Sequence, residues 1–258
     1  MSFVETHAID GGIVEIKLAR APVNALNPDL CAQLRQALRA AIDGGARGIV
    51  LSGGEKVFSA GLDVPHLLSL GEDREALKAA WQSFFDTALA LAESPVPVAV
   101  AMAGHAPAGG CVLALCCDYR VMARSVDAAK PYRIGLNEVQ VGLVAPEGIQ
   151  RLMRRVVGPY RAERLLVAGE MVAAEQAVQI GLVDELADGA QVVERARAWL
   201  GSLLALPAGA MLHTRAIARA DVVAAMQPEH IQLPRFIEAW YSPFTQKALQ
   251  ALVARLGK

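Results

Sequence analysis

Three short stretches hold residue types that could do chemistry. The first runs Gly104-His105-Ala106-Pro107-Ala108-Gly109-Gly110-Cys111, leaving an apolar segment and entering a helical one. A glycine pair at a helix start leaves backbone N–H groups unpaired near the positive end of the helix dipole. Such a turn can bind an anion or a developing oxyanion, and its small residues let a ligand approach the backbone. The second is another small-residue turn, Val57-Phe58-Ser59-Ala60-Gly61-Leu62-Asp63, after a short strand. The third is Ile134 to Leu143, in which Glu138 sits among apolar residues. A carboxylate held in an apolar pocket has its pKa raised above the ordinary value of about 4.3. That suits a group that takes a proton and returns it near neutral pH. Taken singly, the two turns also read as ordinary tight turns with helix-packing glycines, and Glu138 as an exposed or salt-bridged loop residue.

Other chemistries lack their signatures. There is no G-x-G-x-x-G after a strand, no P-loop lysine, no G-x-S-x-G elbow and no H-E-x-x-H. The five histidines are scattered, which argues against a His-based metal site. Cys116 and Cys117 are adjacent, Cys31 and Cys111 stand apart, and no C-x-x-C occurs. Buried reduced thiols in a cytoplasmic protein are the expectation.

The elements that position these stretches alternate. Asp10-Gly11-Gly12 reads as a hairpin turn within residues 1–20. Asn27-Pro28 caps and starts a helix with the stripe Leu30, Leu34, Leu38 and Ile42. Strands are expected at Gly48–Leu51, Val96–Met102 and Tyr119–Ala123. Helices are expected at Glu72–Ala92, Gly109–Cys116, Pro146–Val157, Tyr160–Ala168 and Ala173–Ile180. Leu182–Leu186 reads as extended, and the chain reads as helical from Val192 to its end. Strands alternating with helices imply an α/β core with a buried sheet. The helical tail implies an added region that could form an oligomer surface. The expected division is a core over 1–200 and a helical region over 201–258.

The 258 residues suffice for one sizeable core. With 54% hydrophobic and 20% charged residues, the chain is globular. A net charge of −1 gives no sign of a nucleic-acid partner or an anionic membrane surface. The N-terminal segment carries Glu5, Asp10 and Glu15 and has no apolar core, unlike a signal peptide. Val96 to Cys117 is apolar, but prolines, glycines and His105 interrupt it, so a buried strand, turn and helix are expected rather than a membrane span.

Together these motifs resemble the crotonase superfamily, the enoyl-CoA hydratase/isomerase fold. Phe58 to Asp63 and Ala108 to Cys111 look like its two oxyanion-hole segments. Cys117-Asp118-Tyr119-Arg120 and Ala173 to Asp184 continue the match over nearly the whole chain. The resemblance implies a crotonase-like spiral of repeated ββα units. It implies that Leu62 N–H and Gly109 N–H hold the thioester oxygen of an acyl-CoA, and that Ser59 to Leu62, Ala60 included, lie against the coenzyme A moiety. No separate cofactor and no metal are implied, because the substrate carries the coenzyme A. A homotrimer or a pair of trimers is the family's assembly.

The hydratase branch uses two glutamates. One aligns with Glu138; the other falls at Val112, which cannot exchange a proton. Pro107 to Cys111, Ile134 to Glu138 and Ala145-Pro146 look like the mitochondrial-type Δ3,Δ2-enoyl-CoA isomerase branch. The expectation is therefore an isomerase in which Glu138 alone moves the proton. Enoyl-CoA hydration, acyl-CoA hydrolysis and a non-catalytic acyl-CoA binder are the rivals. Ser125 to Arg133 is longer than that branch's pattern and, with Lys130 and Arg133, could reshape the acyl pocket. His66, His105 and Lys247 could touch coenzyme A phosphates or pack elsewhere, and Asp63 is expected to organise its loop.

Overall fold

A computed structural model describes residues 2–256. Its strands are β1 (Val4–Ile9), β2 (Ile13–Leu18), β3 (Gly48–Ser52), β4 (Val98–Met102), β5 (Ala106–Pro107), β6 (Tyr119–Ala123), β7 (Arg133–Gly135), β8 (Val172–Ala173) and β9 (Glu185–Ala187). The helices of the core are α1 (Pro28–Asp43), α2 (Val64–Ser69), α3 (Arg74–Ala92), α4 (Gly109–Leu115), α5 (Glu147–Val157), α6 (Pro159–Ala168), α7 (Ala174–Gln179) and α8 (Val192–Leu204). After them come α9 (Ala208–Ala218), α10 (Ala220–Ala225), α11 (Pro228–Ile231), α12 (Leu233–Trp240) and α13 (Pro243–Leu256). Residues 257–258, where the expected helical run ends, lie outside the described residues.

The α/β core expected from the alternation is present. The main sheet runs β1-β2-β3-β4-β6-β9. Only the β1–β2 pair is antiparallel; β2 onward is parallel. The hairpin closes at Gly11 and Gly12, both at positive φ (81° and 75°), where a side chain would be strained. Every residue of β3 and β4 is buried, because helices cover both faces. The period of two still sorts them. Val98, Val100 and Met102 enter the larger core with α1, α3 and α4, whereas Ala99 and Ala101 enter a smaller core under α8. The alanines let α8 lie close across the sheet.

Local signals explain most boundaries. Asn27 Oδ1 accepts from Leu30 N (2.9 Å) with Pro28 following, so α1 begins where the cap predicts. α3 begins at Arg74 rather than Glu72, because Asp73 Oδ1 accepts from Ala76 N (2.9 Å). α2 was not expected; Asp63 caps it through His66 N (3.1 Å). The extended stretch expected at Leu182 starts only at Glu185, because Leu182 N and Val183 N both return to Ala177 O and close α7.

A second sheet, β5-β7-β8, escapes sequence periodicity, since its strands have two or three residues. It pairs Ala106 with Ile134 and Pro107 with Gly135. It thereby fixes the glycine turn beside the segment that bears Glu138. The helices after residue 200 pack on the core. Asp118 accepts from Val98 N (2.8 Å) in the sheet, and pairs with Arg215 (2.8 Å) and Arg219 (3.2 Å). Trp81 of α3 meets Phe236 of α12 at 4.4 Å between ring centroids.

Candidate active site

A cavity of about 570 Å³ lies where the two glycine turns, α3, α4, the Glu138 segment and the C-terminal helices converge. Its wall is mostly apolar. Trp81, Phe84 and Phe85 of α3 face Phe236 and Trp240 of α12 and Leu252 of α13. Ala60, Leu62, Ala108, Gly109, Val112 and Glu138 line the same space.

Two backbone donors stand together in it. Gly61 (φ 83°) and Gly109 touch: a Cβ on Gly61 would lie 3.0 Å from Gly109 N, and one on Gly109 3.2 Å from Gly61 Cα. Gly110 is tighter still, for its Cβ would reach 2.5 Å from Ser59 O. Neighbouring N–H groups are used: Ala60 N donates to Val23 O, Gly61 N to Ser59 Oγ, Asp63 N to Leu26 O and Ala108 N to Gly135 O. Among the described residues, Leu62 N and Gly109 N have no acceptor. Gly109 is the first residue of α4, so its N–H also sits at the positive end of that helix. Ala108 before it is held at φ 46°, ψ −116°. A non-glycine residue there stores about 1–3 kcal/mol of strain, which the bond to Gly135 O and β5 maintain.

Glu138 opens a 3-10 turn, Glu138–Val141, that ends in left-handed Gly142. Its Oε2 is buried without a hydrogen-bond partner among the described residues. Loss of hydration pushes its pKa up from 4.5 to about 7, against a small opposing pull from its own backbone N–H. Cys111 of α4 is a neighbour, and burial, more than the nearby carboxylate, raises its thiol pKa so that it stays protonated. The other carboxylate lining the cavity, Asp63, is committed: it pairs with Arg20 (2.6 Å) and caps α2. Among the described residues the arrangement therefore offers one uncommitted carboxyl, two unpaired N–H donors on touching turns and an apolar wall. It can stabilise charge on an oxygen while one group moves a proton.

The structure brings Glu138, Leu62, Gly109 and Ala60 together at one cavity. Val112 lines it too. Ser59 stands behind the wall: it is fully buried, donates to Asn24 O (2.8 Å) and accepts from Gly61 N (3.2 Å). Its visible work is to shape the loop. Asp63 organises its loop as expected. No residue of Ser125 to Arg133 lines the cavity wall. That stretch is tied outward, through Ser125 to Glu175 and through Arg133 N to His105 Nδ1. His66, His105 and Lys247 do not line the cavity either. The aromatic wall was missed, although Trp81, Phe84 and Phe85 at i, i+3, i+4 and Phe236 and Trp240 at i, i+4 are helix-face spacings that mark it. All four cysteines are buried and free, as expected. Among the described residues no group of three His, Cys, Asp or Glu could hold a metal ion, and no helix is long and apolar enough to cross a membrane.

Comparison with known proteins follows the same lines. The profile of the enoyl-CoA hydratase/isomerase family matches residues 8–250. The chain is 30% identical over 248 residues to human mitochondrial enoyl-CoA delta isomerase 1, covering 95% of this chain and 80% of that protein. It is also 30% identical to a probable enoyl-CoA hydratase of Mycolicibacterium paratuberculosis, over 87% of each. The crystal structure of human mitochondrial delta3-delta2-enoyl-CoA isomerase superposes with a TM-score of 0.91, covering 99% of this chain and 98% of that one at 30% identity. Relatives at 30% identity thus include both isomerase and hydratase names, and that level of identity does not separate the two.

Proposed function

The chain belongs to the enoyl-CoA hydratase/isomerase family and has the crotonase fold, and from that premise we propose that it is a Δ3,Δ2-enoyl-CoA isomerase with Glu138 as its single proton shuttle. The observation that carries this reading is that Glu138 is the one uncommitted carboxyl among the described residues lining the cavity; Val112, where the resemblance puts the hydratases' second glutamate, lines it as well. Moving a double bond needs one group that removes a proton and returns it elsewhere. Adding water needs help for the water as well.

In this mechanism a 3-enoyl-CoA binds with its thioester oxygen between Leu62 N–H and Gly109 N–H. Ionised Glu138 takes a proton from C2. The electron pair spreads over the conjugated system onto the oxygen, where the two donors stabilise it. Glu138 then delivers the same proton to C4, and the double bond settles between C2 and C3. Val112 and the aromatic wall keep water from competing. No cofactor beyond the substrate's own coenzyme A takes part. Ser59 and Ala60 shape or touch the coenzyme A side of the loop. The core over 1–200 carries the chemistry, and the region over 201–258 closes the cavity and serves a homotrimer or pair of trimers in the cytoplasm. Exposed Val144, Val167, Ile217 and Phe244 suit a surface covered by assembly.

The test is to incubate the purified protein separately with a 3-enoyl-CoA and a 2-enoyl-CoA. Products are identified by mass and by ultraviolet absorbance of the conjugated thioester. Isomerisation of the first without a gain of water by the second is expected. Rapid hydration of the second would assign the chain to the hydratase side of the family. Glu138→Gln is expected to abolish turnover while leaving CoA-ester binding intact, and near-normal turnover in that variant would remove Glu138 from its role.

A further inference from the structure

The segment that carries Glu138 is weakly anchored by packing. No residue of the turn Glu138–Val141 is fully buried. It is held instead at its two sides. On one, Gln140 Nε2 donates to Gly169 O (2.8 Å), at the end of α6. On the other, the start of α13 lies directly on Gly142: a Cβ there would come within 3.1 Å of both Phe244 and Thr245.

Thr245 is the fixed point of that contact. It is 1% exposed. Its hydroxyl donates to Gly142 O (2.8 Å) and accepts from Ser242 Oγ (2.8 Å), while Ser242 Oγ accepts from Thr245 N (3.2 Å). Each hydroxyl therefore has one direction in which to point. Further along the same helix, Leu252 lines the cavity beside Phe236 and Trp240.

We propose that Thr245 is a positioning residue, whose hydroxyl fastens α13, a wall of the acyl cavity, to the segment that presents Glu138. What fills the cavity against Leu252 then bears on where the carboxyl stands. A proton moved between two carbons is sensitive to misplacement of about 1 Å, so the tether acts on the chemical step more than on binding. The proposal rests on the isomerase reading above.

The experiment compares Thr245→Val, which keeps the shape and removes the donor, with Thr245→Ser, which keeps the donor. Turnover of a 3-enoyl-CoA gives kcat and KM. The infrared carboxyl band of protonated Glu138, identified by its loss in Glu138→Gln, reports the site without substrate. Thr245→Val is expected to lower kcat about tenfold with KM changed less than about twofold, and Thr245→Ser to restore it. The band in Thr245→Val is expected at lower frequency, as water reaches the carboxyl. Wild-type kcat in Thr245→Val overturns the proposal. So does a loss in which kcat and thermal stability fall and KM rises together while the band is unmoved. If Thr245→Val does not fold, Ser242→Ala takes its place with a smaller fall in kcat and the same band shift, and unchanged values there overturn it. A wild-type protein that turns over no 3-enoyl-CoA defeats the isomerase reading instead, and the band alone then decides the tether.

Discussion

Glu138 keeps a proton that an ordinary glutamate would have lost. Below about pH 4.5 both folded and unfolded chains carry that proton. As pH rises to about 7 the unfolded chain releases it first, so the folded state loses stability across that window and stays weaker above it. The loss amounts to roughly 3–4 kcal/mol. Glu138→Gln cannot ionise. Its urea midpoint is expected to match the wild type in acid and to exceed it above pH 7, and equal midpoints at both ends would mean that the folded carboxyl ionises normally. Turnover has the opposite trend: kcat/KM of the wild type should rise with pH through about 7 as one group of the free enzyme ionises, read from initial rates across pH. Leu136 and Val139 hinted in sequence at the burial of the Glu138 carboxyl, but Asn137 and Gln140 blur that signal, and the resemblance singled the residue out. The role of Ser59 was not legible, because sequence does not say which atoms of a loop face inward; its hydroxyl is spent on Asn24 O and Gly61 N.

At the scale of elements, the two glycine turns are one object. Gly110 has no room for a methyl group, with Ser59 O at 2.5 Å from a Cβ placed there. Gly110→Ala must therefore push the Ser59–Leu62 loop away from α4. A fall of about 10²-fold or more in kcat is expected, read from steady-state rates, because a displaced donor no longer meets the oxygen. Its melting temperature should fall too, whereas Gly201→Ala, with open space around it inside α8, should leave kcat unchanged and raise the melting temperature slightly. The long elements were legible: caps at Asn27 and stripes such as Leu30, Leu34 and Leu38 set α1 before any tertiary contact is known. The strands β5, β7 and β8 were not, since they exist only because Ala106, Ile134 and Val172 are brought side by side by the rest of the fold.

Across the whole molecule, one carboxylate joins the sheet to the C-terminal helices. Asp118, with 8% side-chain exposure, holds Val98 N, Arg215 and Arg219 at once. Asp118→Ala leaves the buried Arg219 and the mostly buried Arg215 without that anion. Its unfolding free energy is expected to fall by about 3–5 kcal/mol in urea titration. Arg215→Leu should cost less, since Arg219 remains paired to Asp118. The α/β order of the core was legible from alternation. The cavity was not, because its aromatic wall comes from residues 81–85 and 236–240, whose meeting depends on how α12 folds back across α3.

The spread of that wall along the chain, from Arg20 to Leu252, sets an order of events during synthesis. As the chain leaves the ribosome, both glycine turns and Glu138 emerge before the residues that roof them. Until α12 and α13 follow, Trp81, Phe84 and Phe85 form an open greasy trough, a natural hold for chaperones and a hazard for neighbouring chains. The moment at which the nascent protein stops being sticky is the moment at which it acquires a chamber to work in.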